Sequence, residues 1–85
     1  MTEKQIGKVT HFFGKISVAI IEITDESLAV GETIHIKGHS SDLTQKVESM
    51  QIEHQNIQKA EKGQSIGIKV TMHVRPDDIV FKVIE

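Results

Sequence analysis

The sequence has no cysteine, no tyrosine and no tryptophan, and only one proline and three phenylalanines among its 85 residues. Without cysteine it has no disulfide framework, no thiolate zinc site and no thiol nucleophile. Its aromatic side chains are Phe12, Phe13 and Phe81 alone, too few to stack several bases of a single-stranded nucleic acid. The absences therefore remove several common kinds of functional site before any motif is considered.

The sequence also lacks an excess of basic charge and a long apolar run. Its 10 Lys and Arg residues stand against 12 Asp and Glu, a net charge of −2 with histidine neutral, whereas nucleic-acid binders usually carry a basic excess. The longest apolar run, residues 18–21, is far shorter than the about 18 residues of a membrane span, and the polar start is not a signal peptide. We expect a soluble cytoplasmic protein.

Short stretches that alternate apolar and polar residues make up most of the chain, and this period is typical of half-buried β-strands. The clearest runs from Ile66 to Val74, with an apolar residue at every second position. Gly14-Lys15 is predicted to form a two-residue type II′ hairpin turn, and Arg75–Asp78 a turn. The other predicted strands are Ile6–Phe13, with Val9, His11 and Phe13 on one face, Ile16–Ile23, Thr33–Lys37 and Ile79–Ile84. We predict a disordered tail over residues 1–5 and one all-β domain over residues 6–85.

The segment from Leu43 to Lys62 fits two interpretations. As a helix, it places apolar residues at helical spacing, with Asp42 and Gln45 as a capping box and Gly63 as the stop. As a strand, Val47–His54 puts Met50 and Ile52 on one face, but a bulge is needed to bring Val47 into phase. The pattern alone favours the helix.

Three short sequence signatures follow one another along the chain. The first is Ile6-Gly7-Lys8-Val9, and the second is Leu28-x-Val30-Gly31-Glu32-x-Ile34. The third is Val47-Glu48-Ser49-Met50-Gln51-Ile52, followed by Ala60-x-x-Gly63-x-x-x-Gly67-Ile68-Lys69-Val70. Together, from about Ile6 to Val83, they resemble domain 2 of the translation GTPases, the barrel of elongation factor Tu and initiation factor 2. The resemblance implies a closed six- to seven-stranded antiparallel β-barrel of the translation-protein type. It makes Lys46–His54 a strand and Ala60–Gln64 a turn, and so reverses the helix interpretation.

The function expected from this resemblance is a stand-alone, non-enzymatic, translation elongation factor-like binding module that contacts RNA or the ribosome. The chain has no Gly-x-x-x-x-Gly-Lys-Ser/Thr loop, so no GTPase activity is expected from it. The barrel also resembles the C-terminal module of U32-type peptidases, which lacks their catalytic part. The alternative is therefore a protein-interaction adaptor that partners a separately encoded enzyme such as a U32-type peptidase.

Candidate contact residues for RNA or a protein partner are basic side chains near the predicted hairpins. The simpler interpretation, ordinary solvated side chains on strand faces, stays open. Arg75 lies in the region where the tRNA-contacting loop of the translation factors would fall. The candidates are Lys8, His11, Lys15, Lys37, His39, Lys46 and Arg75.

No set of residues indicates catalysis or a bound cofactor. The five histidines lack the spacing of three or four convergent metal ligands, and the acidic pairs Asp25-Glu26 and Asp77-Asp78 lie in predicted turns. We therefore expect no enzyme activity, no metal, no cofactor, no nucleotide and no membrane partner. A monomer is favoured.

Overall fold

The computed structural model describes residues 2–39 and 41–84, and within them the chain forms ten β-strands. Their alternating burial follows the alternation of the sequence. The bounds are β1 (Thr2–Phe13), β2 (Val18–Ile23), β3 (Leu28–Ala29), β4 (Thr33–Lys37), β5 (Asp42–Lys46), β6 (Met50–Ile52), β7 (Gln55–Ile57), β8 (Lys59–Ala60), β9 (Ser65–Lys69) and β10 (Ile79–Ile84).

All the strand pairs are antiparallel, so the all-β antiparallel prediction is confirmed. Eight strands form one sheet in the order β5-β4-β10-β1-β2-β9-β6-β7, and β3 pairs with β8 in a second sheet. The order begins at β5 and ends at β7, and within the described residues no ladder joins these two edges. The expected closure into a barrel is therefore not seen in the main-chain pairing.

The first and last strands lie side by side in the middle of the sheet. Residues 2–5, predicted to be a disordered tail, belong to β1 and pair with Phe81–Ile84. The prediction is wrong for these residues because they pair with β10, and their polar composition gives no sign of this pairing. Met1 lies outside the described residues. The two ends of the described chain meet, with Thr2 opposite Ile84.

The core lies on the inner face of the larger sheet and between the two sheets. Along β2 the side chains of Ala19, Ile21 and Ile23 are fully buried, while Val18 and Ile20 on the other face are half-buried. Burial of one such aliphatic side chain contributes about 1.5–3 kcal/mol. The buried apolar residues are Ile6, Val9, Ala19, Ile21, Ile23, Leu28, Ile34, Ile36, Leu43, Val47, Met50, Ala60, Ile66, Ile68, Val70, Val74 and Val80.

The hairpin between β1 and β2 differs from its prediction in two ways. Its turn takes four residues, Gly14–Ser17, with Ser17 at a φ of 55°, so Ile16 lies at the tip and not in the return strand. The register also shifts between Val9 and His11. This bulge leaves Val9 buried while His11 and Phe13 point outward, so the three do not share a face as predicted.

The segment from Leu43 to Lys62 contains four short strands, β5 to β8, and the helix interpretation is wrong. The strand predicted over Lys46–His54 is found only in part, since β5 ends at Lys46 and β6 covers Met50–Ile52. A two-residue turn, Glu53-His54, joins β6 to β7 with φ values of 50° and 66°. The turn expected before β9 is present, because Gln64 N–H donates to the carbonyl of Glu61.

Candidate functional site

Four of the seven predicted contact residues lie around one buried carboxylate, Asp78, which is 5% exposed. The amide of Arg75 donates to the Asp78 carboxylate at 2.9 Å, and the amide of Val9, next to Lys8, donates to the Asp78 carbonyl. A Cβ on Gly38, between Lys37 and His39, would collide with the Asp78 side chain. The four basic side chains themselves are exposed around this point.

Acidic residues stand directly opposite two of these four. Lys8 is the register partner of Glu22, and Lys37 is that of Asp42. The remaining three predicted residues lie elsewhere: His11 opposite Ile20, Lys15 in the tip of the first hairpin, and Lys46 at the far end of β5 from Asp42. The structure thus groups four of the seven, with charges of both signs, and contact with a partner by any of them stays a prediction.

An apolar groove runs beside the tip of the first hairpin, and we call it the hairpin groove. It encloses about 360 Å³. Phe13 and Ile16 on its rim are 50% and 60% exposed, although both are large apolar side chains. The floor is open because Gly67 of β9 faces Ile20 of β2 without a side chain. The lining residues are Phe13, Ile16, Val18, Ile20, Gln51, Glu53, His54, Ser65, Ile66 and Gly67.

A second, more polar cleft of about 380 Å³ lies where β5 approaches the end of β9, and we call it the Gln45 cleft. The side chain of Gln45 spans it. Its Nε2 donates to the Lys69 carbonyl at 2.9 Å, and its Oε1 accepts from the Thr71 amide at 3.0 Å. The lining residues are Gln45, Lys46, Glu48, Ser49, Lys69, Val70 and Thr71.

One histidine is held between two carboxylates on the outer face of the sheet. The His35 Nδ1 lies 2.8 Å from Glu3 Oε2, and its Nε2 lies 2.5 Å from Asp42 Oδ1. The hydrogen bond to Asp42 raises the pKa of His35, burial opposes the increase, and the hydrogen bond to Glu3 adds to it. Glu3 and Asp42 contact different nitrogens of the ring, so the three groups do not converge on one ion. In residues 2–39 and 41–84 no three His, Asp or Glu side chains are placed to hold a metal.

A second ionic cluster ties the last strand to the loop before β3. Lys82 Nζ donates to the Ser27 carbonyl at 2.9 Å and lies 3.6 Å from a carboxylate oxygen of Glu32. The hydrogen bond from Lys4 lowers the pKa of Glu26, which also lies near Lys82. These contacts join β1, β10 and the loop, so we assign them a structural role. Over the described residues, no helix is long and apolar enough to cross a membrane.

The fold of this chain is also found in solved structures of other proteins. The chain superposes on the crystal structure of the C-terminal domain of a Geobacillus thermoleovorans protein described as a U32 peptidase with a TM-score of 0.86, covering 94% of this chain and 92% of that one. A selenomethionine variant of the same domain gives 0.84. Sequence identity to both is 18%, so these two likenesses establish the fold and nothing more.

The similarity in sequence points to proteases as well. The chain is 40% identical over 78 residues to an uncharacterized protease of Methanocaldococcus jannaschii, and 38% identical over 78 residues to a collagenase of Porphyromonas gingivalis. These matches cover 91% of this chain but only 19% and 22% of the two relatives. The chain therefore spans about a fifth of the length of these relatives. No family model matches it.

The resemblance to translation factors is corrected by these findings. GDP-bound aIF5B from Aeropyrum pernix does share the fold, with a TM-score of 0.67, but the identity is 12% and only 15% of that chain is covered. The sequence similarity at 38–40% is to the proteases, and the better superposition is on the peptidase domain. The identification as a translation elongation factor-like protein is wrong, and so is the expected function of contacting RNA or the ribosome.

Local sequence patterns do not predict either of the two clefts. The strand Val18–Ile23 carries apolar residues on both faces, and Val18 and Ile20 on its outer face line the hairpin groove. Phe12 is half-buried against the core, whereas its neighbour Phe13 is exposed. Gln45 carried no signal, because its role depends on the position of Lys69, 24 residues later in the chain.

Proposed function

We propose that this chain is a non-catalytic, protein-binding domain that works with the body of a U32-type peptidase. The support is its similarity, over 91% of its length, to about a fifth of a protease and of a collagenase. The other four-fifths of those relatives have no counterpart in this chain. Proteolysis is therefore assigned to a body that this chain joins, whether as a separate protein or as part of one.

The observation that carries the proposal is the exposure of the hairpin groove. Phe13 and Ile16 are about half exposed beside the half-buried Val18 and Ile20. Large apolar side chains that stay exposed side by side are candidates for contact with another protein. The occupant that we propose is the body of the peptidase, because it makes up most of the relatives and is missing here.

We also propose that the larger sheet curls into a barrel with one seam. The Gln45 side chain bonds across the seam, from β5 to the Lys69 carbonyl and the Thr71 amide at the end of β9. The barrel that the resemblance implies would then be closed by the Gln45 side chain, in place of main-chain hydrogen bonds between two strands.

The test measures binding of this chain to the body of the Methanocaldococcus jannaschii protease, purified without its own similar portion. We expect a Kd in the micromolar range by isothermal titration calorimetry. Replacing both Phe13 and Ile16 by Ser should weaken it at least tenfold, because two apolar anchors are lost.

The matched control is Met72→Ser. Met72 is 56% exposed and apolar but lies outside the hairpin groove, so its replacement should leave the Kd unchanged. Absence of binding, or an equal loss with the Met72 variant, would contradict the proposed function.

A further inference from the structure

The Gln45 carboxamide occupies the place of a neighbouring strand. In an extended chain, the main-chain groups of residues two apart point to the same side. The Lys69 carbonyl and the Thr71 amide therefore both face the cleft, while the amide of Val70 between them donates to Ser17 on the opposite side. Gln45 donates to the first group and accepts from the second, as a peptide main chain would.

The same cleft is bounded by a free strand edge. β5 pairs with β4 on one side, and it is the end of the sheet order. Among residues 2–39 and 41–84, β6 pairs with β9 at Gly67 and Ile68, and beyond these residues the Gln45 side chain bonds to the main chain at Lys69 and Thr71. The edge strand β5 and the end of β9 that β6 leaves unpaired thus face the same cleft. This is the geometry in which a peptide can add to a sheet as a further strand.

We propose that the Gln45 cleft binds an extended peptide with an acidic side chain, whose main chain replaces the Gln45 carboxamide at Lys69 and Thr71. The acidic preference follows from the lining, where Lys46 and Lys69 outnumber Glu48. The inference rests on the proposed protein-binding function, but it assigns a second surface, separate from the hairpin groove.

The experiment titrates the ¹⁵N-labelled chain with two capped 12-residue peptides of alternating Thr and Val, one with two Glu residues and one with two Lys residues in their place. We expect the Thr71 amide and the Gln45 side-chain amide to shift, and the Glu peptide to bind more tightly. Gln45→Ala should strengthen binding about fivefold, because the peptide no longer displaces the two internal hydrogen bonds of Gln45.

The matched control is Gln64→Ala, which removes another carboxamide that accepts from a main-chain amide, that of Glu61 at 2.7 Å, and that lines neither cleft. It should leave the affinity unchanged. The inference is overturned if neither peptide shifts Thr71, if the shifts map only to Phe13 and Ile16, or if both alanine variants bind alike. The titration of the unmodified chain decides the question even if Gln45→Ala does not fold.

The two proposals can fail separately. If the peptidase body binds through the hairpin groove while no peptide shifts Thr71, only the inference about the Gln45 cleft is wrong. If a peptide shifts Thr71 but the body does not bind, the cleft is supported and the proposed partnership with the peptidase is wrong.

Discussion

At the scale of single residues, His35 links strands that are not adjacent. It lies on β4, and its two ring nitrogens contact Glu3 on β1 and Asp42 on the edge strand β5. The His35 side chain is 15% exposed, but Glu3 and Asp42 are 39% and 72% exposed, so solvent and salt screen part of the attraction. Its protonation state therefore affects how firmly the edge strand and the first residues of β1 are held.

We predict that this contact makes the stability of the fold depend on pH. The raised pKa of His35 means that the folded protein holds this proton more tightly than the unfolded chain, whose pKa is near 6.5. The added stability is fully present below that pH and is lost as the pH rises through the raised pKa. The urea concentration at the midpoint of unfolding should decrease as the pH is raised from 5.5 to 9. His35→Gln should make this decrease smaller, whereas His11→Gln should leave it unchanged. An equal fall in the His35 variant would contradict this prediction.

Gly7 is a residue for which the fold leaves no room for a side chain. It is buried in β1 opposite Ile23, and a Cβ there would collide with the main-chain carbonyl of Glu22. We expect Gly7→Ala to lower the free energy of unfolding by about 1–3 kcal/mol, since the strands must move apart. Gly14→Ala is the control, because its Cβ would meet only Phe12 at an ordinary 3.7 Å. Urea unfolding compares the two, and equal effects would contradict the clash.

At the scale of elements, the turn between β6 and β7 uses residues that do not suit it. Glu53 and His54 both have positive φ, the signature of a type I′ turn, for which Asn-Gly is strongly preferred. Replacing the pair by Asn-Gly should raise the free energy of unfolding by about 1 kcal/mol, because Asn and Gly adopt a positive φ at a lower cost than Glu and His. The same change at Glu48 and Ser49, which are not among the described residues with positive φ, should not stabilise. Denaturant unfolding measures both, and a loss of stability at the turn would refute the prediction.

This turn also explains why the sequence pattern favoured a helix over Leu43–Lys62. Without Gly, Asn or Pro at residues 53 and 54, nothing local marked a reversal, and the apolar spacing then resembled a helix. Where local signals agree, as in Thr33–Lys37, both the strand and its buried Ile34 and Ile36 were predicted. Pairings between distant residues, such as Thr2 with Ile84, left no local pattern and were missed.

At the scale of the whole molecule, the glycine signatures report on the backbone and not on a ligand. Gly31 and Gly63 have positive φ, and Gly7 permits two strands to approach closely. The peptidase domain and aIF5B both share the fold of this chain, so a pattern that reports on the backbone fits either of them. The signatures therefore predicted the all-β fold but could not separate the two functions, and for the same reason they did not reveal either cleft.

The arrangement of strands makes a prediction about connectivity. Thr2 and Ile84 are register partners, so a short Gly-Ser linker can join the two ends, and the chain can be reopened between Lys15 and Ile16 in the exposed hairpin turn. We expect this circular permutant to fold with dispersed amide resonances and a free energy of unfolding within roughly 2 kcal/mol of the parent, because one loop closure replaces another. The control permutant opens between Ile20 and Ile21, inside β2, and should not fold. If the first permutant is unfolded, or if both fold equally well, the placement of β1 beside β10 at the centre of the sheet is contradicted.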